Sequence, residues 1–415
     1  MSFPKHVWIV NYYANPPQYV TNERHLQFAH HLREAGFKVT IFSAGYLHYK
    51  EIDLIGDEKF KFVSYGEHDF VHVRVRKYEG NGFGRIFSIF QFAWRVFRNR
   101  RKFEKPDIVL HNIHEPFDYP VFWCAKRLKA KYIAEDWDLW SRSFVQMGYI
   151  KKGGLISKVI FKLAENLFAK ADRVVFSMEG GKDYICDMKW DKEHGGRVDL
   201  NKVYYINNGV DIEEFDRCAK TERIEDEDLW NDNFFKAIYL GSINTANNVR
   251  LLIEAAKILL PNPKIKFLIY GDGQDRQNLD DYCKQERITN VIFKQKRISF
   301  SQVPFVLTHS NLNLLNYYQS FGQYGVSSGK LFQYMASGKP VCCNLDMKKY
   351  DVITRNRFGV AKFFHTSQEY AETIEHFSKL PKAEYEQLCQ NARKAADEFD
   401  YKNLSKKLID IIQSL

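Results

Sequence analysis

Short, unbroken apolar runs recur along this chain and alternate with segments of helical periodicity, twice over. The first series of strand candidates lies at 6–10, 38–43, 70–76, 107–111, 131–135 and 173–177; the second at 236–240, 265–270, 290–293, 311–316 and 340–343. Helical patterns fall between them, at 21–35, 119–129 and 155–170, then at 248–260, 274–286 and 329–337. A strand that is apolar on both sides needs cover on both faces, and intervening helices supply it only in a parallel sheet. Two such series in 415 residues exceed what one core holds. The expected fold class is therefore α/β, with two doubly wound, Rossmann-like domains facing across a cleft. In such sheets ligands bind at the carboxyl ends of the strands.

The break between the series is expected near 187–205. There Asp187–Lys202 is polar and interrupted by Gly195-Gly196, ahead of a strand at 203–206. Domains of 1–190 and 200–385 follow, with a helical tail, 386–415, interrupted near Phe399-Asp400-Tyr401. The acid-rich stretch 219–234 reads as a surface loop.

Composition narrows the class. With 45% hydrophobic and 15% aromatic residues, the chain is neither disordered nor fibrous. Seven cysteines, an odd number with no C-x-x-C pair, fit neither a disulfide scaffold nor a zinc ribbon, and a cytoplasmic location is expected. No signal sequence and no apolar run of about 18 residues is apparent. Net charge is 61 − 51 = +10, and it is uneven: residues 1–200 hold 32 basic and 24 acidic side chains, +8. Nucleic acid, an anionic membrane or a phosphorylated substrate would each match a basic first half. No nucleic-acid motif accompanies the charge, so no nucleic-acid partner is expected.

Tyr324-Gly-Val-Ser-Ser-Gly-Lys-Leu-Phe-Gln-Tyr-Met-Ala-Ser-Gly-Lys-Pro-Val341 is the most informative segment. A polar loop enters a helix that stops at Gly338, before a buried strand. Backbone N–H groups of Ser327, Ser328 and Gly329 at the helix start suit a phosphate, and Lys330 adds a positive charge. An ordinary strand–helix unit is the plainer reading.

In Lys131-Tyr-Ile-Ala-Glu-Asp-Trp-Asp-Leu-Trp140 a buried strand ends in carboxylates. Asp136 and Asp138 are both candidates to orient an attacking hydroxyl or accept its proton; capping of the next helix is the alternative. His111-Asn-Ile-His-Glu-Pro116 likewise follows a strand. In Phe83–Lys102, apolar Ile86, Phe87, Phe90, Trp94 and Phe97 recur mostly at three- and four-residue steps, and Arg95, Arg98, Arg100, Arg101 and Lys102 crowd the far end. A basic, aromatic amphipathic helix fits an anionic membrane surface. Lys151, Lys152, Lys158 and Lys162 form a second basic stretch.

The order of these segments resembles the GT-B glycosyltransferases of family 4 (glycosyl transferases group 1). The segment 324–341 resembles the family's donor loop, helix and Met-Ala-x-Gly-x-Pro-Val strand. Ile206-Asn-Asn-Gly-Val-Asp211 with Phe215, Ala171-Asp-Arg-Val-Val-Phe-Ser177, Tyr239-Leu-Gly-Ser242 with Leu251–Ala256, and Leu268-Ile-Tyr-Gly-Asp-Gly273 resemble its other units. The resemblance implies a transferase that moves a sugar from a nucleotide-sugar, most often UDP-linked, with retention and without a metal or other cofactor. It also implies that the final helix returns to the first domain. Donor candidates are Ser242, Asn247, Gly271, Arg297, Ser327, Ser328, Gly329, Lys330 and Gln333. Catalytic candidates are Asp136, Asp138 and His114, and acceptor candidates are Tyr19 and Arg24.

Some positions depart from the family. Its two donor-region glutamates are here Gly325 and Gln333, and its diphosphate-holding Arg and Lys are Ser242 and Asn247. Pro16-Pro17 replaces a glycine-rich loop. Ser327–Ala336 resembles the subgroup with S-x-x-K-L-F-x-Y-M-A, which implies an acceptor that is a saccharide, free or lipid-linked, in surface polysaccharide synthesis, at the inner face of the cell membrane. Other readings are a catalytically silent sugar-nucleotide-binding partner, a metal-dependent GT-A transferase using Asp136-x-Asp138, and a nucleotide-sugar epimerase.

Overall fold

A computed structural model describes residues 5–20, 22–48, 52–80, 82–317 and 322–415. The chain forms two compact units, Met1–Asn207 with Leu404–Leu415, and Asn208–Asn403.

The first unit is built on an eight-stranded sheet. Its order is Val203–Tyr205, Arg173–Phe176, Lys131–Asp136, Ile108–Asn112, His6–Val10, Lys38–Ala44, His68–Val73 and Phe60–Tyr65. All neighbours are parallel except the last pair, a hairpin in which Tyr65 opposes His68. His6–Val10 and Ile108–Asn112 are buried along their whole length, as strands covered on both faces must be. The chain leaves His6–Val10 toward one edge and later returns beside it to build toward the other. Asn11 and Ile113–His114 thus lie at a topological switch point, where side chains emerge from the sheet.

The second unit repeats the plan with six parallel strands, Val291–Phe293, Ile265–Tyr270, Phe235–Leu240, Leu312–Asn316, Val341–Asn344 and Gly359–Lys362. Its switch point lies between Phe235–Leu240 and Leu312–Asn316. Apolar faces of the helices Val249–Ile258 and Ser367–Ser378 close one side. The helix Gly329–Ala336 packs on the other, against Val341 and Cys343. Both sheets have the expected α/β, Rossmann-like form.

Three expectations about organisation are corrected. The strand Val203–Tyr205 does not open the second domain. It pairs in register with Val174–Phe176 and forms the edge of the first sheet. The tail is divided rather than whole: Lys382–Ala396 packs in the second unit, where Val210 bonds to Phe399 and Tyr401, and only Leu404–Leu415 joins the first. There Leu404, Leu408 and Ile412 are buried, and Arg173 donates to the Ser414 carbonyl at 3.0 Å. The stretch 219–234 is not a simple loop either. Glu227–Trp230 is helical, Leu229 is fully buried, and Asp226 accepts from Lys294 and from the Tyr270 hydroxyl.

Arg24, the first residue of the helix Arg24–Glu34, is completely buried. Its Nε and Nη2 donate to Glu135 Oε1 at 3.0 and 2.8 Å. Its Nη atoms also reach the carbonyls of Ile206 (2.8 Å) and Asn207. One guanidinium therefore ties a helix, the end of a central strand and the exit from the edge strand. A buried pair of this kind is costly to break from one side, because the remaining charge stays out of water. Arg24→Ala is expected to cost about 3–5 kcal/mol in urea unfolding, and Arg24→Met with Glu135→Met to recover most of it. A single change costing under about 1 kcal/mol would contradict this role.

Candidate functional site

In the first unit the switch point gathers side chains from three strand ends. His114 follows Ile108–Asn112 and is buried. Its backbone N–H donates to Asp118 Oδ2 at 2.5 Å, and its Nδ1 lies 3.1 Å from the same oxygen, as does His111 Nε2. Burial alone would raise the Asp118 carboxyl, but the two histidines hold it well below the usual carboxylate range. Burial lowers the His114 imidazole and Asp118 opposes that shift. An anionic Asp118 thereby fixes the orientation of His114.

Around His114 stand aromatic rings and one cation. Trp140 meets it edge-on at 4.9 Å and Tyr13 at 5.1 Å. The Arg85 guanidinium lies 5.1 Å from both the Tyr13 and Trp140 ring centres and donates from Nε to the Tyr13 hydroxyl at 2.5 Å. Aromatic faces with a guanidinium and a carboxylate suit the mixed apolar and hydroxylated surface of a sugar. Tyr13, Arg85 and Trp140 were missed in the sequence. Arg85 was hidden in a helix legible only as amphipathic.

Asp136 and Asp138 separate in character. Asp136 is fully buried; its Oδ1 accepts the Leu139 and Asp138 backbone N–H at 2.9 and 3.2 Å, while Oδ2 has no partner among the described residues. Burial pushes its carboxyl up to about 7, against the hydrogen bond from Leu139. The neighbouring Glu115, in a cis Glu115-Pro116 peptide, is raised by burial and by Asp136. Asp138 is exposed, and Trp140 hydrogen-bonds to its side chain. Neither acid caps the helix Trp140–Gln146, which has no side-chain cap; Asp136 instead holds the loop that leads into it. Arg24 does not offer a free guanidinium to an acceptor phosphate, since its donors are taken up internally. Tyr19 is half-buried in the short turn Pro17–Tyr19.

In the second unit the switch point brings two backbones very close. Gly241, after Phe235–Leu240, has φ +154, and Gly271, after Ile265–Tyr270, has φ +134. A Cβ on Gly271 would strike the Gly241 carbonyl, and one on Gly241 would strike Lys330 Nζ. Lys330 thus sits against bare backbone, 5.2 Å above the Tyr239 ring. No carboxylate among the described residues pairs with it, and burial pulls its ammonium down to about 8.

Lys330 belongs to the first turn of Gly329–Ala336, whose N-cap, Ser328, makes no side-chain capping bond to the helix. Ser327 is held by the Asn208 amide at 2.8 and 3.0 Å, which shapes the loop. One turn on, Gln333 is buried with Oε1 lacking a partner among the described residues. A half-buried cation with no counter-charge among the described residues, a helix start and an acceptor with no partner among them line one helix. That set fits an anion joined to a hydroxyl-bearing group.

The remaining donor candidates differ. Asn247 is buried, and its amide donates to the Ser242 carbonyl (3.0 Å) and Asn244 Oδ1 (2.8 Å), closing the loop in place of meeting a ligand. Ser242 and Arg297 are exposed. Among the described residues, the group of three side chains with metal-ligand geometry is His30, His31 and Glu34.

Residues 23–214 match the family described as Glycosyltransferase Family 4, and residues 220–395 match Glycosyl transferases group 1. No curated protein matches the chain. Similar solved structures include a glycosyltransferase from Rickettsia africae, at 16% identity and TM-score 0.67, covering 99% of this chain and 98% of that one. HepE of Anabaena, solved in complex with UDP, aligns at 14% identity and TM-score 0.70, covering 99% and 100%. WaaG, a glycosyltransferase involved in lipopolysaccharide biosynthesis, aligns at 16% and 0.67, covering 98% and 99%.

Two measurements check these electrostatics. Lys330→Met should stabilise the protein by about 1–3 kcal/mol in urea unfolding at pH 7. A lysine with a lowered folded value destabilises wherever it is charged, so the gain should be full below about pH 8 and vanish toward the ordinary lysine value near 10.5. For Asp136 the sign is opposite. A raised carboxyl favours the fold at low pH and loses that advantage as pH rises through about 7. The melting temperature of wild type minus Asp136→Asn should therefore fall between about pH 4 and 7 and level off above; a flat difference would contradict the assignment.

Proposed function

The chain belongs to the glycosyl transferases group 1, family 4, a GT-B glycosyltransferase that uses a nucleotide-sugar, and from that premise we propose that it transfers a hexose from a UDP-linked donor to a lipid-linked saccharide in surface polysaccharide synthesis, at a membrane surface. The two Rossmann-like units correct the GT-A alternative, whose fold has a single nucleotide-binding domain.

The observation that carries the donor reading is Lys330. Its unpaired, partly desolvated ammonium sits at a helix start, where a diphosphate would supply the missing negative charge. As the glycosidic bond breaks, charge builds on the leaving diphosphate, and Lys330 with the helix N-terminus stabilises it in a preorganised way. Gln333 Oε1 accepts from a ribose hydroxyl, in the role that the family gives to a glutamate. Ser327, Ser328 and Gly329 line the phosphates, Gly271 lets the backbone approach, and Arg297 lies beside the base.

The acceptor side rests on Tyr13, Arg85, His114 and Trp140. Exposed Asp138 orients the acceptor hydroxyl, His114 assists it, and buried Asp136 holds the loop. The reaction retains anomeric configuration and needs no metal. The UDP reading draws on HepE of Anabaena, and the polysaccharide reading on WaaG.

Calorimetric titration with UDP, GDP, dTDP and their sugar conjugates, with and without EDTA, tests this. UDP should bind regardless of EDTA, and Lys330→Met should weaken it at least about tenfold, a loss of about 1.4 kcal/mol. Binding that EDTA abolishes, or that Lys330→Met leaves unchanged, would overturn the site as drawn.

A further inference from the structure

A cavity of about 490 Å³ in the first unit lies apart from every residue assigned above. Its charged lining is Arg74, Arg76, Lys77 and Arg95 against Asp53 and Asp57, that is 4 − 2 = +2. Two of the cations are already paired: Arg74 donates to the Asp57 carbonyl at 2.8 Å, and Lys77 lies 3.0 Å from Asp53. The other two are not. Among the described residues, Arg95 donates to the Arg74 carbonyl and has no acidic partner, and Arg76 is exposed with none either. Gln91 holds the Arg76 backbone N–H at 2.6 Å, which fixes that residue at the rim.

The helix Phe83–Asn99 connects this cavity to a second feature. Its buried face is Ser88, Ile89, Phe92, Ala93 and Val96. On the opposite face Phe83 is 90% exposed, Phe87 50%, and Phe90 and Trp94 43% each. Gln91 and Arg95 continue the Phe83–Phe87 row at four-residue steps, so the cavity opens along the margin of the aromatic stripe. Exposed Arg98 lies one turn beyond Trp94. Four large rings in water beside an uncompensated cationic cavity make neither a core nor a solvated charge face. They match the two layers of a bilayer surface, with rings at the interfacial depth and phosphates just outside it.

We propose that Arg76 and Arg95, at this cavity, seat the phosphate of an anionic membrane lipid while Phe83, Phe87, Phe90 and Trp94 enter the interface. This deepens the membrane part of the reading above and is independent of the donor site.

Flotation of the full chain with phosphatidylcholine vesicles, with and without phosphatidylglycerol, tests it. Wild type should float with the anionic vesicles and poorly with the neutral ones, and less as salt rises. Arg76→Glu should lower the partition at least about tenfold, and Phe87→Ser with Trp94→Ser similarly. Lys220→Glu, the same charge change in the second unit, should matter far less. Arg76→Glu is a surface change, and unaltered melting together with unaltered UDP binding shows that the variant is folded. Equal binding by Arg76→Glu and Lys220→Glu would overturn the lipid-phosphate seat and leave the membrane reading standing. Failure of wild type to bind anionic vesicles would overturn both. Binding of inorganic phosphate to the cavity without vesicle binding would make it a free-phosphate site and sink the proposal. UDP binding lost while vesicle binding persists would count against the donor reading alone.

Discussion

A parallel sheet covered on both faces has no solvated side, so its polar chemistry can emerge only where the strands end. Both units obey this constraint, and it decides where the strand-borne candidates stand. Asn11, His114 and Asp136 are strand-end residues of one sheet, and Gly241 and Gly271 of the other. The strands themselves are apolar because burial leaves them no choice, while the residues just beyond them are free to carry charge.

What emerges at those ends is charge placed where water cannot fully reach it. In the first unit the charges are answered internally. Arg24 meets Glu135, and Asp118 meets two histidines. Exceptions at the strand ends are Glu115 and Asp136, where burial, with Asp136 acting on Glu115 and Asp138 on Asp136, keeps protons on longer than usual. In the second unit no carboxylate among the described residues answers Lys330. Structural ion pairs are complete within the chain, and a binding site is recognised by what it leaves incomplete. The unpartnered Gln333 oxygen on the same helix repeats the pattern for a neutral group.

The family's donor machinery is also redistributed here. Ser242 and Asn247 stand where charged residues would hold a diphosphate, and Asn247 instead closes its own loop. With those charges gone, the proposed donor reading leaves the anion to the helix start and Lys330. The close approach of Gly241 and Gly271 makes room for that lysine, since a side chain at either would displace it or the backbone beside it.

Periodicity and composition alone determined the strand–helix alternation, the two-sheet α/β plan and the donor helix 329–336, because these depend on local pattern and burial. Phe60–Tyr65 and Gly359–Lys362, lying at sheet edges with only partial burial, carry no such pattern and were not legible. The same holds for ownership of elements. Val203–Tyr205 reads as a strand, but only its pairing with Val174–Phe176 assigns it to the first sheet. Side-chain roles were the least legible. Arg24 and Glu135 are 111 positions apart, and Arg85 and Tyr13 are 72 apart. A guanidinium that will be neutralised in the core and one that will stack beside a binding surface look identical in sequence. Tertiary structure decides between them, because the strength of a charge depends on its neighbours and on its access to water, and both are set by residues distant along the chain.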